Sequence, residues 1–190
     1  MTTLPSLCVF CGARMGHNSA HAAAARDLGQ LVATQGWRLV YGAGDVGLMG
    51  EVARAAIAAG APTLGVIPTH LMTTEVGKRD LTDLVVTATM HERKMLMFQN
   101  ADAVALLPGG AGSLDEFFEV LTWAQISLHR KPIYLMDVAG YWTPLLTLID
   151  HIIAQGFASA TLKTHFTVLP DVAALAPFLQ APQITTGPPR

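Results

Sequence analysis

Charge is what this sequence has least of. Asp, Glu, Lys and Arg make up 14 % of its 190 residues, against about 25 % in an average soluble protein. Its 12 basic and 14 acidic residues leave a net charge of −2, and no basic cluster offers a face to a phosphate backbone, so nucleic acid is not an expected partner. Long apolar runs are missing as well. Although 51 % of the residues are hydrophobic, no run reaches the roughly 18 residues that a membrane-spanning helix needs, and the amino terminus lacks a charged region followed by a hydrophobic signal core. The expectation is a soluble cytoplasmic protein with no membrane partner. So much apolar surface with so little charge also suggests that another subunit covers part of it.

Cysteine is scarce, and its placement is informative. Cys8 and Cys11 have CxxC spacing, but they sit in and just after an apolar run, with no second pair to complete a zinc site. Buried free thiols on a core strand are the expected outcome. The seven histidines include no HExxH pair, and no metal is implied; His17 and His91 lie near strand-end loops where a ligand contact is open to them, though an exposed polar role is the commoner one for such residues. GxxxxGK[ST] does not occur, which excludes a P-loop triphosphatase, and without GxSxG a serine hydrolase has little support.

What is present alternates regularly. Apolar runs at residues 4–10, 37–41, 63–67, 84–87, 103–107, 132–136 and 166–169 read as strands. Between and after them, residues 18–34, 47–60, 91–100, 113–128, 141–155 and 172–179 have helical composition and spacing. Glycines punctuate the units, Gly36 ending the first helix. Repeated βα units predict an α/β fold: a Rossmann-like, doubly wound parallel sheet with helices on both faces, and ligands at the carboxyl ends of the strands. At this length one domain over residues 1–180 is expected, followed by a frayed tail at 181–190 with three prolines and a glycine.

Gly42-Ala43-Gly44-Asp45-Val46-Gly47 matches GxGxxG after a strand and before a helix. It follows the second strand rather than the first, and the next strand ends at Ile67-Pro68-Thr69 without the acid that would hold an NAD ribose. Tight helix packing or one wall of a nucleotide pocket is the better expectation. Pro108-Gly109-Gly110-Ala111-Gly112-Ser113-Leu114-Asp115-Glu116 is the more telling stretch. Here a strand breaks into glycines and an acidic helix begins, so the N–H groups of residues 110–113 and the Ser113 hydroxyl can cradle a monophosphate.

Glu116 has two readings. Ser113 and Glu116 have the spacing of a capping box, in which serine caps the helix and glutamate folds back to it. Alternatively, a carboxylate held beside a phosphorylated sugar acts on that sugar. Upstream, Arg93 and Lys94 are adjacent cations preceding the strand that leads into the glycine turn. Neighbours on a helix diverge by about 100°, so one is expected to face a ligand while the other reaches around or pairs with an acid. Arg93 is the choice for the direct contact, because its planar guanidinium grips phosphate or carboxylate in two places.

Taken together, Val9-Phe10-Cys11-Gly12, Leu39-Val40-Tyr41-Gly42-Ala43-Gly44, Val46-Gly47-Leu48-Met49-Gly50, Gly65-Val66-Ile67-Pro68, Met90-His91-Glu92-Arg93-Lys94 and Pro108-Gly109-Gly110-Ala111-Gly112-Ser113 resemble the LONELY GUY family. Its members are cytokinin riboside monophosphate phosphoribohydrolases, often mislabelled lysine decarboxylases. The resemblance runs from about residue 7 to 180, including Leu121-Thr122-Trp123-Ala124-Gln125 and Ala139-Gly140-Tyr141-Trp142.

That resemblance implies a Rossmann-like fold, a homodimer or an assembly of dimers, no metal or redox cofactor, and a nucleoside monophosphate as substrate. AMP or isopentenyladenosine monophosphate would be cleaved at the N-glycosidic bond to free base and ribose 5-phosphate. Arg93 and Glu116 fall on the family's catalytic positions. Glu75, Arg93, Lys94, Gly109, Gly110, Ala111, Gly112, Ser113, Asp115 and Thr122 fall on substrate-contact positions. The chain departs from the family pattern at Ser113 (usually threonine), Ala111 (usually aromatic), Ala13 (usually serine) and Ala43 (usually glycine). Two other functions suit the same residues: a non-catalytic nucleotide or molybdenum-cofactor carrier of the same fold, with Glu116 only a cap, and a broader purine or pyrimidine nucleotide nucleosidase.

Overall fold

A computed structural model of the chain describes residues 4–72 and 81–180. Within them the units run β1 (Ser6–Phe10), α1 (Ser19–Thr34), β2 (Arg38–Tyr41), α2 (Gly47–Ala58), β3 (Thr63–Pro68), β4 (Asp83–Thr87), α3 (Met90–Gln99), β5 (Ala103–Leu106), α4 (Ala111–Gln125), β6 (Ile133–Met136), α5 (Thr143–Ala154), β7 (Thr167–Leu169) and α6 (Ala176–Leu179). The sheet order is β4-β3-β2-β1-β5-β6-β7 and every pairing is parallel. This is the Rossmann-like doubly wound architecture expected from the alternation. No helix among the described residues is long and apolar enough to cross a membrane.

Side-chain alternation along the strands builds two cores. Leu7, Val9, Leu39, Tyr41, Ala103, Ala105, Tyr134 and Met136 face α1, α2 and the closing helix, while Cys8, Phe10, Val40, Val104, Leu106, Ile133 and Leu135 face α3, α4 and α5. Coverage on both sides is why the strands read as unbroken apolar runs. Cys8 and Cys11 are three residues apart and belong to opposite cores, so the CxxC spacing serves the sheet's two faces; both thiols are free and buried.

Helix ends show where sequence and structure differ. Gly36, Gly60 and Gly156, at φ 71°, 86° and 79°, close α1, α2 and α5. α4 stops at Gln125 rather than 128 because Ser127 takes the same left-handed conformation at φ 63°. The N–H of Leu128 then reaches the Trp123 carbonyl at 2.9 Å and that of Ser127 reaches Ala124 at 3.0 Å, a Schellman closure made without glycine. α5 begins at Thr143 rather than 141, because Ala139 and Gly140 are both left-handed and Asp137 Oδ1 accepts the Trp142 N–H at 2.6 Å.

The chain works outward from β1 to β4 and then returns to β5 on the other side of β1. The loops after β1 and β5 therefore part in opposite directions, opening the crevice where doubly wound sheets hold ligands.

Candidate active site

The crevice between those loops is a cavity of about 590 Å³, within the range of small-molecule sites. The β1 loop (Cys11 to Gly16) and the β5 turn (Pro108 to Ser113) form its floor, joined where the Gly12 N–H donates to the Pro108 carbonyl at 3.0 Å. Gly109 is required by close approach, since a Cβ there would overlap the Ser113 hydroxyl and lie 3.0 Å from the Gly12 nitrogen. A smaller cavity, about 320 Å³, is lined by Arg130, Lys131 and His165; it lies where β6 and β7 begin, at the opposite end of the sheet from the crevice.

α4 starts at Ala111 with Gly110 as its N-cap and no side-chain cap bond. Ser113 is thus a buried residue inside the first turn, and the capping box expected from Ser113 and Glu116 does not form. The motif occurs instead at α3, where the Glu92 N–H donates to Thr89 Oγ1 at 3.1 Å and Glu92 Oε2 accepts the Thr89 N–H at 3.3 Å. The cause is the start of α4 two residues early, which leaves Glu116 one turn beyond Gly112, lining the cavity.

Arg93 and Lys94 diverge as adjacent helical residues must. Arg93 is buried; its Nε donates to the Val66 carbonyl at 3.1 Å and its Nη2 to the Gly42 carbonyl at 2.8 Å, setting the guanidinium into the cavity wall. Lys94 turns to α4, with Nζ 2.9 Å from Asp115 Oδ2 and 3.0 Å from Glu119 Oε2. Burial draws the Lys94 pKa down, but hydrogen bonds and charge from these two acids together outweigh it and hold the ammonium above its ordinary value. Burial raises both thiols, and the Glu116 charge pushes the same way while Arg93 opposes it. Cys11, Arg93 and Glu116 all line the one cavity.

The structure thus brings Arg93, Gly109, Gly110, Ala111, Gly112, Ser113, Asp115 and Glu116 to one cavity. Lys94 stands behind Asp115, and Thr122 is exposed about 13 Å along α4 from Ser113, so neither lines it. Glu75 lies outside the described residues, as does the tail at 181–190. His17 and His91 also miss the cavity. His17 precedes the Asn18 cap of α1, so its spacing of four from His21 does not put the pair on one helical face, and no metal-holding group occurs among the described residues. His21 and Tyr141 line the cavity instead. His21, in the first turn of α1, carried no signal beyond its position, whereas Tyr141, in the loop after β6, falls in the Ala139-Gly140-Tyr141-Trp142 stretch of the resemblance, which gave it no site role. Gly47 does the tight packing expected of the GxGxxG stretch, with a Cβ there overlapping the Ala13 backbone. Ala43, where the family usually has glycine, is left-handed at φ 59°.

A cavity at the switch point of a Rossmann-like sheet, pairing a glycine turn with a wall-mounted arginine and a carboxylate, defines the class of protein. A family model described as "possible lysine decarboxylase" matches residues 49–179. A probable cytokinin riboside 5'-monophosphate phosphoribohydrolase of Oryza sativa subsp. japonica is 44 % identical over 157 residues, covering 83 % of this chain and 70 % of the relative. A cytokinin riboside 5'-monophosphate phosphoribohydrolase of Rhodococcoides fascians is 39 % identical over 181 residues, covering 95 % and 91 %. Among solved structures, the molybdenum cofactor binding protein of Rippkaea orientalis superposes with a TM-score of 0.71 at 21 % identity over 94 % of this chain and 97 % of that one, a likeness of fold. The chain belongs to the LONELY GUY family.

Proposed function

We infer that this protein hydrolyses the N-glycosidic bond of a nucleoside 5′-monophosphate, AMP or isopentenyladenosine monophosphate among them, giving free base and ribose 5-phosphate. The observation that carries the reading is the presence of Glu116 and Arg93 in one cavity with the uncapped first turn of α4. The names of the phosphoribohydrolase relatives support it.

In this reading the N–H groups of residues 110–113 and the Ser113 hydroxyl take the 5′-phosphate. Arg93, fixed by two backbone carbonyls, adds positive charge and orients the ribose without having to reorganise. The C–N bond breaks through an oxocarbenium-like sugar. Glu116 stabilises that cation and orients or deprotonates the attacking water, the work carboxylates do in sugar-bond hydrolysis. Gly109, Gly110, Ala111, Gly112 and Asp115 complete the contact surface; Lys94 holds Asp115 from behind. Glu75 and Thr122 enter the substrate set through the family resemblance. The test is chromatographic detection of base released from AMP and isopentenyladenosine monophosphate by the purified protein; no release from either sinks the reading.

A broader nucleotide nucleosidase is the second reading, favoured by Ala111. It lines the cavity as a small exposed residue where the family usually has an aromatic, so the space can admit more than one base. Comparing AMP, GMP, CMP and UMP separates the two. A homodimer or assembly of dimers fits the edge of the sheet, where Leu84, Val85 and Val86 of β4 and nearby Met90 and Met95 are exposed, an apolar edge that proteins normally cover. The same reading takes residues 1–180 as one domain acting in the cytoplasm.

A further inference from the structure

We propose that Tyr141 is a positioning residue that sets the orientation of the Gly109–Gly110 peptide and thereby aims the Gly110 N–H at the bound phosphate. The proposal rests on the turn being the phosphate cradle.

Three successive carbonyls of the turn need to be held. The Pro108 carbonyl accepts the Gly12 N–H at 3.0 Å, and the Gly110 carbonyl accepts the Leu114 N–H at 3.1 Å. Between them, the Gly109 carbonyl accepts the Tyr141 hydroxyl at 2.5 Å, from a different βα loop. A peptide between two glycines has little steric resistance to rotation, and a Cβ on Gly110 would meet nothing within 4 Å. Packing against Ser113 and Gly12 holds the Gly109 α-carbon, and the hydroxyl adds the restraint on the peptide oxygen that the open Gly110 side lacks. In a planar trans peptide the C=O and the following N–H point in opposite directions, so fixing the Gly109 oxygen fixes the direction of the Gly110 N–H. Donation to that oxygen also polarises the peptide and strengthens its N–H as a donor.

Tyr141 is itself held. Ala139 and Gly140, at φ 54° and 71°, turn the chain back over the crevice, and Asp137 locks the bend through the Gly140 and Trp142 N–H groups at 3.1 and 2.6 Å. The ring then packs edge-on against His21 at 5.1 Å and against Trp142 at 4.7 Å. Those ring contacts do not need the hydroxyl, so removing it isolates the proposed role.

The experiment compares wild type with Tyr141→Phe by calorimetric titration of ribose 5-phosphate and of adenosine, alongside turnover of AMP. The expected result is about a tenfold weaker Kd for ribose 5-phosphate, a matching rise in KM for AMP with little change in kcat, and unaltered adenosine binding. Ribose 5-phosphate binding equal to wild type overturns the proposal, as does equal weakening of adenosine, which marks a general loosening of the cavity, or a wild type that holds no ribose 5-phosphate. A wild type that binds ribose 5-phosphate but releases no base overturns hydrolysis alone, and the titrations still decide the role of Tyr141.

Discussion

The guanidinium of Arg93 fills the space that a side chain at position 42 would need. Its Nη2 donates to the Gly42 carbonyl at 2.8 Å, and a Cβ on Gly42 would overlap that nitrogen. The second strand's glycine turn and the helix carrying Arg93 are 51 residues apart in sequence, yet each fixes what the other is allowed to be.

Gly42→Ala is therefore expected to act as an Arg93 variant. The methyl displaces the guanidinium from the Gly42 carbonyl, and turnover of AMP falls by about 100-fold or more, the scale of losing one preorganised electrostatic contact. Circular dichroism and steady-state kinetics check this; a Gly42→Ala protein with wild-type kcat/KM removes Arg93 from the site.

This relationship shows what the sequence made legible and what it did not. Strand alternation and glycine-terminated helices were readable because burial on two faces and left-handed helix ends have direct residue signatures. The divergence of Arg93 and Lys94 followed from helical geometry alone. Ser127 hid the end of α4 because a serine in a left-handed conformation looks like any helix-compatible residue. The capping-box spacing at Ser113 and Glu116 misled because it does not say where a helix begins, and here the Gly110 carbonyl, accepting the Leu114 N–H at 3.1 Å, opens it earlier. His21 was invisible as a site residue, and the resemblance marked the stretch around Tyr141 without a role for it, since their meeting beside the turn depends on the order of strands around β1.

The Lys94 cluster predicts an alkaline limit to part of the stability. Lys94 is 8 % exposed at its side chain, and its partner Asp115 is 62 % exposed, so solvent screens the pair. Lys94→Met is expected to cost about 1–2 kcal/mol at neutral pH. Because the folded protein holds the ammonium above its ordinary value near 10.5, the contribution is complete below that pH and is lost as pH rises through the folded value. Denaturant melts should show a constant gap between wild type and variant from neutrality to about pH 10, narrowing above. A gap that widens there contradicts the assignment.

The two thiols should be inert in the native protein. Burial raises both above their ordinary value, and Glu116 adds to the effect, which suppresses the reactive thiolate. Ellman's reagent at mildly alkaline pH is expected to label neither Cys8 nor Cys11 until denaturant is added. Stoichiometric labelling of the native protein within minutes contradicts this.

The central claim is that Glu116 performs chemistry rather than helix capping. It is tested most directly by pairing base release from AMP with ribose 5-phosphate affinity in wild type and Glu116→Gln. The account predicts that turnover falls by about 10²- to 10⁴-fold while ribose 5-phosphate affinity and melting temperature stay near wild type. Base release by Glu116→Gln at the wild-type rate contradicts it.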